Sequence, residues 1–392
     1  MNFNIYSDRQ DKHLANFIVG YYFVQALNLL VKLVLGNFSW WTLASRGILI
    51  VLLLFALKPM ISRKGIALLA VELLFAALFG YTFAFQFASL NDFGTIALNI
   101  FTVFIPMAIA IASIKDKSIL LQRMYVASWP VQLILLYVLL ARRGSSYSMI
   151  GGYTLVFQEL IVMDHYSKKH KLYDLLMCAV DSIVIFLFGS RGPLLCIMTM
   201  VVIKVLLSPT LSRRKRIILI SMSILLLGGV FVFYTDIING LIILTNRLGY
   251  SSRTLYLLLD SRITSDSGRD SIQRRYMEVV RNGPVLGHGI AGGWLSSETY
   301  PHNIFLEMLV SFGPIFGVLV CVAISLVYFL AIIDKDQYRR RVSHILFAYS
   351  ISLFLSDTFL KSPMFFMLMA IGLQSIPIKI SSGEQIPEHR LS

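Results

Sequence analysis

Pro301-His302-Asn303-Ile304-Phe305-Leu306-Glu307 opens an apolar run that continues to Ile332, and Gly283-Pro284-Val285-Leu286-Gly287-His288-Gly289 lies just ahead of it. A helix needs about 20 mostly apolar residues to cross the hydrocarbon core of a bilayer. The run from 304 to 332 exceeds that and carries one charged residue, Glu307, near its mouth. It therefore reads as a membrane span. The polar, glycine-punctuated segment before it belongs at the aqueous edge, where chemistry in water can be done.

Outward from that run the chain is of one kind. Of 392 residues 57% are hydrophobic and 14% charged, and the mean hydropathy is +0.73. A soluble domain does not need that much apolar surface, whereas a polytopic membrane protein does. About twelve segments are long and apolar enough to span: 14–35, 42–57, 66–86, 95–114, 124–141, 150–165, 173–189, 193–207, 217–234, 304–332, 343–357 and 363–378. The first lacks a small-residue cleavage site and reads as a retained helix. Cys178, Cys196 and Cys321 all fall in apolar runs and imply neither a disulfide framework nor a metal site.

The net charge of +14 does not point to nucleic acid, because its residues are parcelled into short connections. One set of connections, at Lys58–Lys64, Lys115–Arg123, Lys168–Lys171, Arg213–Arg216 and Lys335–Arg341, holds 17 basic residues. The alternate set, outside the one long loop, holds 4: Arg142, Arg143, Arg191 and Lys361. The basic set is expected on the cytoplasmic side. Both termini are then inside, and the segment 235–303 faces outward. The expected organisation is an all-α polytopic protein: spans over 1–234, a large external loop over 235–303, spans over 304–378 and a cytoplasmic tail over 379–392.

Within the loop, Ser251–Arg262 reads as an interfacial helix and Ser267–Asn282 as a second helix stopped by Gly283-Pro284. Arg269 falls in the first turn of the second. A cation there opposes the helix dipole unless an anion sits between them; pairing with Asp266 or Asp270 is the alternative. Gly189-Ser190-Arg191-Gly192-Pro193 breaks two apolar runs at the outer face. Ionisable groups at membrane depth usually face a cavity, though Arg191 could also reach lipid phosphates. Asn303 is placed to cap the helix that follows, and His302 beside it titrates near neutrality.

Together these residues resemble a family. The ordered series Ser190-Arg191-Gly192, Gly268-Arg269, Asn282-Gly283-Pro284 with Gly287-His288-Gly289, His302-Asn303 with Leu306-Glu307, and Gly313 with Gly317 is similar to the O-antigen polymerase and O-antigen ligase superfamily of bacterial envelope proteins. The likeness covers about 189–317; the first half matches only in hydropathy and span count.

What the resemblance implies is a metal-independent, inverting glycosyltransferase of the multi-span C type in the bacterial inner membrane, with no cofactor. Its donor would be an oligosaccharide on a polyprenyl diphosphate. The acceptor would be a second lipid-linked repeat unit in a polymerase, or lipid A–core in a ligase. The bilayer and a chain-length regulator protein are the further partners, and nucleic acid is not one. By position, Arg191 and Arg269 correspond to the arginines expected to hold the diphosphate and His302 to the functional histidine. Asn303, Gly287, Gly289, Arg275 and Asp357 are the candidates for substrate binding. The base that takes the acceptor proton is His302, Asp357 or Glu307. The form of 189–193 and of Gly287-x-Gly289 favours polymerase over ligase. A lipid-linked oligosaccharide transporter remains the reading from another class, but it predicts pseudo-symmetric halves, and none is visible.

Overall fold

The computed structural model describes residues 2–36, 39–86, 90–141, 149–187, 191–207, 212–214, 216–217, 221, 234–247, 256, 269–292 and 300–376. All the regular structure among these residues is helical. The helices are α1 (Asn2–Leu35), α2 (Ser39–Gln86), α3 (Leu90–Asn99), α4 (Ile105–Ser113), α5 (Lys117–Ala141), α6 (Met149–Lys169) and α7 (Leu172–Leu187). After these come α8 (Arg191–Leu207), α9 (Tyr234–Arg247), α10 (Arg269–Asn282), α11 (Ile304–Ile332), α12 (Gln337–Ser350), α13 (Ser352–Leu355) and α14 (Pro363–Gln374).

Five helical stretches among the described residues are long and apolar enough to cross a membrane: Asp8–Leu35, Trp40–Ala84, Phe93–Ser113, Lys117–Val138 and Ile304–Ile332. The expected twelve are not established at that count. The other expected segments with described residues fall in helices that are shorter or, for 150–165 in the 21-residue α6, more polar, and the span expected at 217–234 lies almost wholly outside the described residues. Part of the difference is physical. At 48 residues α2 would run about 72 Å if straight, more than twice a hydrocarbon core. It is not straight, because Lys64 leaves helical geometry at φ −143° and ψ 25°. Before the kink, Trp41 Nε1 donates to Asn28 Oδ1 at 2.7 Å and Arg63 pairs with Asp11, so that arm runs antiparallel to α1. Beyond it, Phe79 packs on Phe93 with ring centroids 5.2 Å apart, and at the kink itself Arg63 Nη1 also donates to the Ser113 carbonyl at 2.7 Å, so the second arm runs antiparallel to Phe93–Ser113. One continuous helix thus makes a hairpin.

The expected span at 95–114 is also divided. A π-helical turn over Ile100–Phe104 joins α3 to α4. Pro106, in the first turn of α4, has no N–H to give the carbonyl four residues back, so the regular helical ladder is interrupted here. The end of α4 is closed by Lys117, whose ammonium donates to the carbonyl of Ile111 at 2.6 Å and to that of Ile114.

The connections rich in Lys and Arg gather at one end of the bundle. Arg63, Lys64, Lys115, Lys117 and Arg339 line a single polar hollow of about 730 Å³ with Asp116 and Asp336. Beside it Asp164, 2% exposed in its side chain, receives Lys204 and also Arg341 at 2.7 Å. A carboxylate buried between two cations explains how Lys204 is tolerated near a span end.

At the other end the loop 283–292 mends a break in α11. Pro314 cannot donate to the Val310 carbonyl, and Gly313 at φ 76° and ψ 171° interrupts the helix. The loop supplies the missing donors: His288 N–H to Val310 O at 2.8 Å and Gly289 N–H to Ser311 O at 2.9 Å. Gly287 and Gly289 sit at φ 79° and 78°, which side chains disfavour. A Cβ on Gly289 would overlap Thr82 Oγ1, itself donating to the Ile290 carbonyl at 2.9 Å. Gly289→Ala therefore destabilises the fold by about 1–3 kcal/mol. Thermal unfolding in detergent checks this; an unchanged transition would mean the loop is not held as described.

Candidate functional site

The end opposite the basic cluster is organised by a short ribbon of helix-end carbonyls. α13 ends at Leu355, and the amides of Ser356 and Asp357 both turn back to the Ser352 carbonyl at 2.9 and 3.0 Å. A helix end leaves carbonyls without intrahelical donors. Here distant side chains supply them. Arg269 Nη1 donates to the Leu355 carbonyl at 2.7 Å. Tyr300 Oη donates to the Ser356 carbonyl at 3.3 Å, and His302 Nδ1 lies 3.2 Å from the same oxygen.

Because a carbonyl only accepts, His302 carries its proton on Nδ1 and keeps the lone pair on Nε2. The residue holds φ 54°, a conformation in which histidine is found more often than most residues, at some cost in strain. The Tyr300 ring rests against the imidazole at 4.2 Å between centroids, and the Lys361 ammonium lies 5.3 Å over the Tyr300 ring.

Charge at this cluster follows from burial first. Burial lowers the His302 pKa below its ordinary 6.5; the Ser356 carbonyl opposes that, and Arg269 and Lys361 reinforce it. Burial pushes Asp357 up to about 6, against the Thr358 amide and Lys361, which favour its anion. Tyr300 is raised to about 12 by burial and then by Asp357 and Glu307. These shifts favour the neutral imidazole, while Asp357 at about 6 is still largely ionised at neutral pH.

The remaining expected residues divide into two groups. Arg191 begins α8; its side chain lies outside the described residues. Its neighbour Gly192 packs so closely on Tyr153 that a Cβ would overlap the hydroxyl, and that Cβ would lie 3.4 Å from Ser356 Oγ. The start of α8 therefore adjoins the same ribbon as Arg269 and His302. Glu307 is buried one turn into α11 and accepts from Thr358 Oγ1 at 2.5 Å.

Others are spent on structure. Asn303 Oδ1 caps α11 by accepting from the amides of Phe305 and Leu306 at 3.0 and 3.2 Å. Gly287 and Gly289 pack against the α11 break and Thr82, which gives these glycines a structural reason independent of substrate. Arg275 is exposed on α10, about 120° round the helix from Arg269. Asp266 lies outside the described residues, as does the side chain of Asp270, so the alternative pairing of Arg269 falls there too.

Tyr300, Ser356, Thr358 and Tyr153 were not singled out in the sequence. The signal for three of them is visible in hindsight: Tyr300 stands two places before His302, and Ser356-Asp357-Thr358 is a polar interruption between apolar runs. The expected helix at Ser251–Arg262 lies, apart from Tyr256, outside the described residues. The helix expected at Ser267–Asn282 is found as α10 over Arg269–Asn282, and α9 begins at Tyr234, where the sequence places the end of a span.

Residues 176–322, from within α7 to within α11, match the family model described as O-antigen ligase, Wzy_C. No curated protein and no solved structure matches the chain.

Proposed function

We infer from the match of residues 176–322 to the O-antigen ligase family model that the chain is of the O-antigen ligase and polymerase superfamily, and we propose that it polymerises a lipid-linked glycan at the outer leaflet. The observation that carries the reading is the pairing of Arg269 and His302 on the adjacent carbonyls of Leu355 and Ser356. It brings a permanent cation and a neutral base to one place at the membrane edge.

In the reaction, a hydroxyl of the acceptor sugar attacks the anomeric carbon of the donor. The bond from that carbon to the diphosphate oxygen breaks, and the electron pair leaves with the polyprenyl diphosphate. Negative charge grows on the bridging oxygen, where a fixed guanidinium in a water-poor setting stabilises it. Among the described residues Arg269 commits one of its five N–H donors, to Leu355. Arg191 is the second guanidinium on this reading. His302 Nε2 takes the acceptor proton. Attack from the face opposite the diphosphate inverts the anomeric centre. With guanidinium groups supplying the charge, chelators leave the transfer rate unchanged; a rate restored only by added divalent metal overturns that part.

The growing chain is then moved from its carrier onto a new lipid-linked repeat unit. A second reading, ligation to lipid A–core, is favoured by the description of the matched family, whereas the Gly189–Pro193 and Gly287-x-Gly289 forms favour polymerase. Purified protein given only polyprenyl-diphosphate-linked repeat units distinguishes them. A ladder of products is the expected result. Product that requires lipid A–core makes it a ligase, and lipid scrambling with no product makes it a transporter.

A further inference from the structure

On the far side of the Ser356–Asp357 ribbon is a cavity of about 420 Å³, within the size range of small-ligand sites. The N-terminal helix forms one wall with Tyr21, Tyr22 and Gln25. Tyr153, Thr154 and Phe157 of α6 and Tyr349 of α12 form another. The floor is shared with the cluster already described, because Tyr300, Asp357 and Lys361 border both. The two spaces are further tied by the bond between the Tyr153 hydroxyl and Ser356 Oγ.

The walls are fixed aromatic faces. Tyr22 and Phe157 lie 4.3 Å apart between centroids, and Tyr349 meets Phe157 at 5.7 Å and Tyr153 at 6.1 Å. The Tyr22 hydroxyl is anchored on Met364 Sδ at 2.9 Å, which holds its ring in place. We propose that this cavity is a saccharide subsite that seats one neutral pyranose of the lipid-linked glycan beside the Arg269–His302 cluster.

Three features select that ligand class. Flat rings with polar groups at their edges match a sugar, which offers C–H faces for stacking and hydroxyls around its rim. The charged lining is one carboxylate and one ammonium, so it balances, and Asp357 would repel a phosphate. An acyl or prenyl chain would bury Gln25, Asp357 and Lys361 against hydrocarbon without hydrogen bonds, which is costly. The inference rests on the glycosyl-transfer reading for what delivers the sugar, but not for the binding itself.

The pyranose belongs either to the acceptor or to the donor, and one experiment separates them. Full-length protein in lipid nanodiscs is compared with Gln25→Leu, which removes a polar edge, and Thr154→Met, which fills space. The probe for binding is the repeat-unit oligosaccharide freed from its lipid by mild acid, followed by saturation transfer from protein aromatic protons. Transfer kinetics are measured with donor and acceptor varied separately. The expected result is saturation transfer in the parent protein that is lost in both variants, with a tenfold or greater rise in KM for one lipid-linked substrate and an unchanged thermal transition. A rise for the acceptor assigns the sugar to the acceptor, and a rise for the donor assigns it to the donor. Unchanged saturation transfer and unchanged KM in both variants overturn the subsite while leaving the transfer reading intact. Binding lost in the variants of a protein that transfers no sugar keeps the subsite and overturns the transfer reading.

Discussion

Arg269→Ala lowers glycan transfer by about 10²–10³-fold, the loss that accompanies removal of one preorganised donor from a developing oxyanion. The protein still folds and reaches the membrane, because the side chain is only partly buried and makes one described hydrogen bond, to Leu355. A bond from a charged donor is worth about 1.5–3 kcal/mol, and partial exposure of the side chain puts this one toward the lower end. Rate and stability are therefore expected to separate: the thermal transition moves little and the product ladder disappears. Arg269→Lys recovers little of the rate. An ammonium can hold the charge but cannot bond the Leu355 carbonyl and present a planar fork to two phosphate oxygens at once. Transfer assayed with a lipid-diphosphate-linked substrate at saturating concentration checks both variants. Full activity with lysine would sink the bidentate geometry, and full activity with alanine would remove Arg269 from the reaction.

Much of the scaffold was legible because a bilayer leaves few choices. Apolar length marks a span and basic residues mark its side, and the connections so assigned do gather at one end around Arg63, Lys115 and Arg339. Pro314 removes a donor inside the 304–332 run, but that run reads as one unbroken span, so the break at Gly313 emerges only in the fold. Nor could it be read who repairs it. That His288 and Gly289 donate to Val310 and Ser311 is a contact between segments more than twenty residues apart, and no periodicity encodes it. The α2 hairpin shows the opposite difficulty. Two expected spans were correct as apolar segments, but the turn between them keeps helical hydrogen bonding almost throughout, so the boundary is conformational and not compositional.

The site was legible in its charged parts and obscure elsewhere. Arg269 and His302 stand out because charge and imidazole are rare at an apolar helix mouth. Asn303, Gly287 and Gly289 also stand out, yet their geometry is accounted for by capping and tight packing. Residue type alone does not separate a glycine that approaches a substrate from one that approaches Thr82. The converse omission is α1. Tyr21, Tyr22 and Gln25 sit in the middle of an ordinary-looking span, and their polarity is mild enough to pass as packing. The role proposed for them comes from lining one cavity with Tyr153 and Asp357, which only the folded chain brings near.

His302→Gln is expected to cost about 10²–10⁴-fold in transfer, the usual contribution of a positioned general base, while the glutamine keeps most of the side-chain volume. The pH dependence has a definite sign. Only the neutral imidazole accepts a proton, and burial together with Arg269 and Lys361 keeps the His302 pKa below 6.5. The rate is therefore full above neutrality and falls as pH drops through that lowered value. Lys361→Met removes one of the cations and moves the acid limb to higher pH. That shift alone does not identify the base, because Lys361 also favours the Asp357 anion and its loss raises both groups. The residual activity of His302→Gln decides between them. If His302 is the base, the remaining rate loses the wild-type acid limb. An acid limb that persists near pH 6 with little loss of rate assigns the proton to Asp357, whose burial already places it there, and leaves His302 the lesser task of holding the Ser356 carbonyl.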